Sequence, residues 1–302
     1  MKGRITKSTG SWYDVIDERG SHYKGRLRGK FKLKDEKQTN PLSVGDYVEF
    51  ELDQDHEGDA IISDRLTREN FIIRKAVKQS ARGHIIAANV DQIMVVATIA
   101  LPRTSTGFID RVLISAESFR IPNVIVFNKQ DILTDEDLAE QESMIKIYEE
   151  IGSVCLKVSA LEQTGISELE KILKKKTTVL AGHSGVGKSS LINALSDDLQ
   201  LKTGDVSDWS LKGKHTTTFA EMFQLPDHTF IIDTPGIREF GLIDIEGWEL
   251  ADYFPEMRAL KNECKYYNCT HVHEPGCIIM KKVDDGEIAE SRYLSYLKMI
   301  EE

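Results

Sequence analysis

The sequence predicts a multidomain α/β protein in three units: an N-terminal OB-type β-barrel, a circularly permuted P-loop α/β domain, and a C-terminal, mostly helical zinc-binding module. Three observations carry that prediction. Short strand-like runs with glycine turns fill the first 65 residues, three short motifs stand in an unusual order in the middle, and three cysteines and two histidines gather near the end. The expected boundaries are 1–65, 66–240 and 241–302.

In the first unit, Lys24, Arg26, Arg28, Lys30, Lys32 and Lys34 occupy every second position, and Gly25, Leu27, Gly29, Phe31 and Leu33 fill the gaps. A period of two places the six cations on one face of a strand or strand pair and the apolar set on the other. From Met1 to Lys34, ten Lys/Arg stand against three Asp/Glu, a net +7 in a chain whose overall formal charge is −10. Like charges side by side repel, so the row fits a polyanion, and these six residues are the nucleic-acid-binding candidates, with RNA and DNA not distinguished by the row itself. Val44–Phe50 and Ala60–Ile62 read as further strands, which suggests a small barrel of a nucleic-acid-binding kind.

Residues 65 to about 88 read as a link. Asn89–Ala97 then reads as a buried strand, and Thr106–Arg120 carries Ile109, Val112, Leu113, Ala116 and Phe119 at helical spacing. Helices over Asp135–Ile151 and Ile166–Lys174 alternate with strands, as a largely parallel sheet requires. Asp135-Glu136-Asp137 and Lys174-Lys175-Lys176 read as solvated helix ends.

The motifs sit on this frame. Between the strand-like Thr177–Ala181 and a helix over Lys188–Leu195 lies Gly182-His183-Ser184-Gly185-Val186-Gly187-Lys188-Ser189-Ser190, a phosphate-binding loop in its required context. Its glycines let backbone N–H groups approach phosphate oxygens, and the helix N-terminus favours negative charge. Lys188 is expected to reach the β- and γ-phosphates, and Ser189 to ligate Mg²⁺. Asp233-Thr234-Pro235-Gly236 follows the apolar run Thr229–Ile232. Its Asp233 suits the Mg²⁺ hydration shell, and the Gly236 N–H suits the γ-phosphate. Asn128-Lys129-Gln130-Asp131 follows the strand-like Asn123–Phe127. The Asp131 carboxylate matches the guanine N1–H and exocyclic amine, which adenine does not present there, so the site selects GTP over ATP. Asn128 is expected to brace neighbouring loops, the Lys129 stem to lie over the base, and a backbone N–H at Ser159-Ala160 to meet the guanine O6. A base-reading motif ahead of the phosphate loop is the order of a circularly permuted GTPase domain.

Between loop and Asp233 lies Lys212-Gly213-Lys214-His215-Thr216-Thr217-Thr218. A threonine here closes on Mg²⁺ and the γ-phosphate, Thr217 being preferred and Thr216 next. Ile237 stands where a water-orienting glutamine is common, and His215 is the nearest group able to replace it.

Cys264-x₄-Cys269-x-His271-x₅-Cys277 gives three thiolates and an imidazole within fourteen residues, a set suited to one structural Zn²⁺ per chain. His273 competes for the histidine position. The surrounding sequence holds too few apolar groups for an independent core, a lack that a metal compensates.

Composition agrees. The chain has 302 residues, 40% hydrophobic and 29% charged, as in ordinary globular proteins. No stretch nears the ~20 apolar residues of a membrane span. The N-terminus lacks a secretory core, and four cysteines, three of them clustered, point to a reducing, cytoplasmic setting. A monomer is expected.

A basic OB-like N-terminus, a permuted GTPase core and a Cys₃His module together resemble the bacterial RsgA (YjeQ) family over essentially the whole chain. The residues that carry the likeness are Ala87-Ala88-Asn89-Val90-Asp91, Asn128–Asp131, Gly182–Ser190, His215–Thr218, Asp233–Gly236 and Cys264–Cys277. The resemblance implies a GTPase that binds the small (30S) ribosomal subunit and 16S rRNA, assists late maturation of that subunit, and is stimulated by it. It also implies Mg²⁺ with GTP and GDP, and a catalytic part for His215.

Overall fold

A computed structural model describes residues 1–29, 41–53, 56, 58–74, 84–196, 220–234 and 245–301. Five strands open the chain: β1 (Lys2–Ser8), β2 (Tyr13–Asp17), β3 (His22–Leu27), β4 (Tyr47–Leu52) and β5 (Asp59–Arg65). They pair in the order β1-β2-β3-β5-β4, and β4 returns to β1, so the sheet closes into a barrel. The β3–β5 pairing is parallel and the other barrel pairings are antiparallel. Alternating side chains fill its interior with Ile5, Tyr13, Val15, Val48, Phe50, Ala60 and Ile62.

The link is more ordered than the sequence reading expects. Phe71–Arg74 (β6) and His84–Ala88 (β7) pair as an antiparallel ribbon, and Ile72, Ile85 and Ala87 are buried. Two short apolar runs hide one another's inner faces against the central domain.

That domain is a sheet of β8 (Gln92–Ala97), β9 (Asn123–Phe127), β10 (Val154–Lys157), β11 (Thr177–Ala181), β12 (Glu221–Leu225) and β13 (Thr229–Asp233), in the order β10-β9-β8-β11-β13-β12. All neighbours are parallel except the β12–β13 hairpin. Helices α1 (Thr106–Ser118) and α2 (Asp135–Glu150) cover one face through Phe108, Ile109, Val112, Met144, Ile145 and Tyr148. Helices α3 (Ile166–Leu173) and α4 (Lys188–Leu195) cover the other through Ile166, Leu169, Leu191 and Ile192. Every residue of β8 is buried, as a doubly covered parallel strand requires. Asp137 is more than a solvated end: with Thr134 it closes a reciprocal capping box at the start of α2.

The chain ends in α5 (Pro255–Leu260), α6 (Ile278–Asp284) and α7 (Glu290–Ile300). Contrary to the expectation of a missing core, Leu250, Phe254, Met257, Ile279, Ile288, Tyr296 and Met299 form one cluster with Ile114 of α1. The module shares its core with the central domain, so counting its own residues underestimated what it buries.

Two buried arginines join the units. Arg4 of β1 donates to the Thr177 hydroxyl at 2.8 Å and the Asn89 carbonyl at 2.8 Å, and lies over the Tyr47 and Phe230 rings. Arg292 of α7 meets Asp110 of α1 at 2.7 Å and Glu256 at 2.8 Å.

Candidate functional site

The carboxyl ends of the parallel strands bring the three motifs to one edge, where open α/β sheets bind ligands. Lys188 opens α4 directly after the loop that leaves β11, and its Nζ donates to the carbonyls of Gly182 at 2.8 Å and His183 at 3.0 Å. Burial lowers the Lys188 pKa, while the Asp233 charge pulls it up. Asp233 ends β13 beside Leu180 of β11. Burial raises its pKa, and Lys188 opposes that. Its Oδ1 is buried and has no hydrogen-bond partner among the described residues. A buried carboxylate oxygen without a partner beside a half-buried lysine fits a site whose water or cation ligand completes it. Ser189 and Ser190 follow Lys188 in the first turn of α4, within the same loop-to-helix corner.

Two glycines are required by contact. A Cβ on Gly182 would stand 2.7 Å from the Val96 carbonyl oxygen. Gly187 has φ +93°, and a Cβ there would meet the Asn128 amide nitrogen at 2.3 Å. Ser184, Gly185 and Val186 complete the turn, and the His183 ring packs on Phe108 of α1 with centroids 4.0 Å apart.

Asn128 is the brace the sequence predicts. Its Nδ2 donates to the Val186 carbonyl at 2.9 Å, and its Oδ1 accepts from the Ala160 N–H at 3.2 Å. The base-reading motif, the phosphate loop and the Ser159-Ala160 turn are thereby tied through one amide. Lys129 takes a left-handed φ of 67°, and its Nζ donates to the Leu101 carbonyl at the site rim. Gln130 starts a one-turn 3-10 segment that carries Asp131, and the Ser159 hydroxyl donates to Asp131 Oδ1. The Ser159 N–H bonds the Thr164 carbonyl, and the Ala160 N–H donates to Asn128 Oδ1. His215, Thr216, Thr217, Gly236 and Ile237 lie outside the described residues.

The cation row is only partly a free basic face. Lys24 and Arg26 point outward from β3 while Gly25 is buried, as period two demands. Arg26 pairs with Asp53 at 2.7 Å, however, and Arg28 with Glu51 at 3.3 Å. Carboxylates from β4 and just beyond it neutralise two of the six, a cross-strand match that one strand's spacing does not reveal. Lys30, Lys32 and Lys34 lie outside the described residues.

In the C-terminal module the ligand atoms of Cys264, Cys269, His271 and Cys277 all lie within 4.8 Å of one another. His271 Nδ1 is 3.5 Å from Cys264 Sγ and 3.4 Å from Cys277 Sγ, and those two sulfurs are 4.0 Å apart. A tetrahedron with zinc–sulfur bonds of ~2.3 Å has edges of about 3.8 Å, so the four groups fit that ion. His273 is not in the cluster. Glu274, which the sequence did not single out, organises the turn. One carboxylate oxygen accepts from the Thr270 N–H at 2.8 Å and the other from the Val272 N–H at 3.2 Å and the His273 N–H at 3.3 Å. Against the upward push of burial, these bonds and the Thr270 hydroxyl hold Glu274 well below the usual carboxylate range. The Tyr293 hydroxyl donates to the His271 carbonyl at 2.8 Å, fixing the turn on α7.

Comparison with known proteins agrees with the geometry. A family model described as RsgA GTPase matches residues 65–243, and one described as RsgA N-terminal domain matches residues 2–60. Small ribosomal subunit biogenesis GTPase RsgA of Bacteroides fragilis is 48% identical, covering 100% of this chain and 97% of that protein. The protein of that name from Flavobacterium johnsoniae is 47% identical, covering 100% and 93%. The crystal structure of YjeQ from Thermotoga maritima is 35% identical, covers 99% of this chain and 96% of its own, and superposes with a TM-score of 0.77. YloQ, described as a circularly permuted GTPase, is 29% identical, covers 99% and 93%, and superposes with a TM-score of 0.73.

Proposed function

The chain belongs to the RsgA GTPase family, and from that premise we propose how its parts hydrolyse GTP in the biogenesis of the small ribosomal subunit. The observation that carries the reading is Asn128, one side chain joining the base-reading motif to Val186 of the phosphate loop and to Ala160. Asp131 then selects guanine, with its rotamer held by Ser159. Lys129 lays its stem along the base.

In the loaded site, Lys188 leaves the Gly182 and His183 carbonyls and turns to the β- and γ-phosphates, while the loop N–H groups surround the β-phosphate. Mg²⁺, when bound, neutralises charge that develops on the phosphate oxygens. Ser189 and Thr217 are its proposed direct ligands, and Asp233 holds its water shell. Gly236 gives its N–H to the γ-phosphate. His215 orients the attacking water, since Ile237 has no group to do so.

The Cys264, Cys269, His271 and Cys277 group holds one structural zinc, which closes the turn against α7. Purified chain is therefore expected to carry about one zinc, and Cys277→Ser to lose most of it and lower Tm. Full zinc retention in that variant would contradict the assignment.

The barrel is the 16S rRNA-binding unit, with Lys24 the described member of the alternating row outside an ion pair and Lys30, Lys32 and Lys34 as further candidates. Arg26 and Arg28 serve it only by exchanging their carboxylate partners for phosphates. The proposed units are 1–65, 66–240 and 241–302, working as a cytoplasmic monomer. No described helix is long and apolar enough to cross a membrane.

The test of the reading is nucleotide binding by fluorescence with competition by GTP, GDP and ATP. Guanine nucleotides are expected to displace the probe, and equal displacement by ATP would overturn the specificity.

A further inference from the structure

Among the described residues the barrel and the central sheet are continuous where Lys7 of β1 stands opposite Glu221 of β12. The side chains of that same pair form an ion pair at 3.0 Å. Glu221 is in turn the register partner of Asp233 in the β12–β13 hairpin. Directly opposed residues of neighbouring strands share a face, with Cβ atoms ~5 Å apart. Lys7, Glu221 and Asp233 therefore form a row running from the barrel to the cation-facing end of β13. The Glu221 charge also acts on the Asp233 carboxyl, in the direction that disfavours its ionised form.

A glutamate in that position works against a site that must hold a polyphosphate. Two carboxylates face each other across the hairpin, next to the loop where further negative charge has to settle. The neutralising cation is supplied by another unit of the protein. Lys7 stands near the end of β1, and its side chain is partly exposed.

We propose that Lys7 and Glu221 are positioning residues for the nucleotide site: the barrel's lysine cancels the Glu221 carboxylate beside Asp233, so nucleotide affinity depends on how the barrel sits on β12. The inference rests on the guanine-nucleotide reading given above. By linkage, whatever shifts the barrel shifts nucleotide affinity, and bound nucleotide acts back on the barrel by the same factor.

The signs of two neutral substitutions test this with full-length protein and a fluorescent GDP in Mg²⁺ buffer. Lys7→Gln leaves Glu221 unopposed and is expected to weaken GDP binding about two- to five-fold, the scale of a partly exposed pair. Glu221→Gln removes the offending charge and is expected to bind GDP as tightly as the parent chain or more tightly. Lys7→Gln combined with Glu221→Gln is expected to recover parental affinity. The Lys7→Gln loss is also expected to shrink as salt rises from 50 to 500 mM (roughly the range over which the Debye length falls several-fold). Circular dichroism checks that each variant folds. Equal losses in both single variants would mean a merely structural clamp and overturn the proposal, as would no change in either. Absence of GDP binding by the parent chain would instead sink the guanine-nucleotide reading itself.

Discussion

Asp131→Asn is expected to lower affinity for GTP by about 100-fold and to transfer preference to xanthosine triphosphate. In the proposed site the carboxylate would accept two hydrogen bonds from the guanine edge, and bonds to a charged group contribute ~1.5–3 kcal/mol each. Losing the charge and one acceptor removes about 3 kcal/mol, which is two decades of binding. Asparagine presents an amide donor where guanine also presents one, so the pair clashes electrostatically. Xanthine has a carbonyl at that position and accepts from the new amide. Ser159, whose hydroxyl donates to Asp131 Oδ1, can still donate to the asparagine oxygen, so the side chain stays in place. Competition titration with the two triphosphates is the measurement. Unchanged GTP affinity would mean that the base does not lie against residues 128–131.

Arg292→Ala is expected to be the most damaging single change to stability. The side chain is 1% exposed and its partner Asp110 is fully buried. Burial alone would depress the guanidinium, but the Asp110 and Glu256 charges more than reverse that, and the cation is held firmly. Tyr148 adds its hydroxyl to Asp110 at 3.0 Å, and Phe254 lies under the guanidinium at 4.7 Å. Removing one member strands the Asp110 carboxylate in the interior, a cost of ~3–5 kcal/mol. Urea unfolding should show the loss as an earlier transition. The double variant Asp110→Leu with Arg292→Met, which leaves no stranded charge, should recover much of it. A loss below about 1 kcal/mol in Arg292→Ala would contradict the role given to this pair.

What the sequence reveals and what it hides divide by distance along the chain. The phosphate loop, Asn128–Asp131 and the Cys₃His set are local spacings whose chemistry needs those residue types together, and all three are legible. Period two over Lys24–Leu27 matches the second half of β3, which ends before Arg28, and helical spacing locates α1. The joints are not legible, because Arg4 with Thr177 and Asp110 with Arg292 are 173 and 182 residues apart. Nor does spacing show that Asp53 and Glu51 face Arg26 and Arg28, since the strand register brings them together. The choice of His271 over His273 needs the turn that Glu274 fixes, and the shared core of the last module needs Ile114 of α1. The ribbon of β6 and β7 escaped because two four- or five-residue apolar runs in a polar stretch look like a linker.

GTP hydrolysis in the service of small-subunit biogenesis is the activity that this fold and family carry. The most direct measurement is phosphate release from GTP by the purified chain, alone and with small ribosomal subunits, beside Lys188→Ala. The expected result is slow turnover alone, about 10⁻⁴ to 10⁻² s⁻¹ as for unassisted GTPases, strong acceleration by the subunits, and neither in Lys188→Ala. Unchanged turnover in the presence of subunits, or turnover that survives Lys188→Ala, would contradict it.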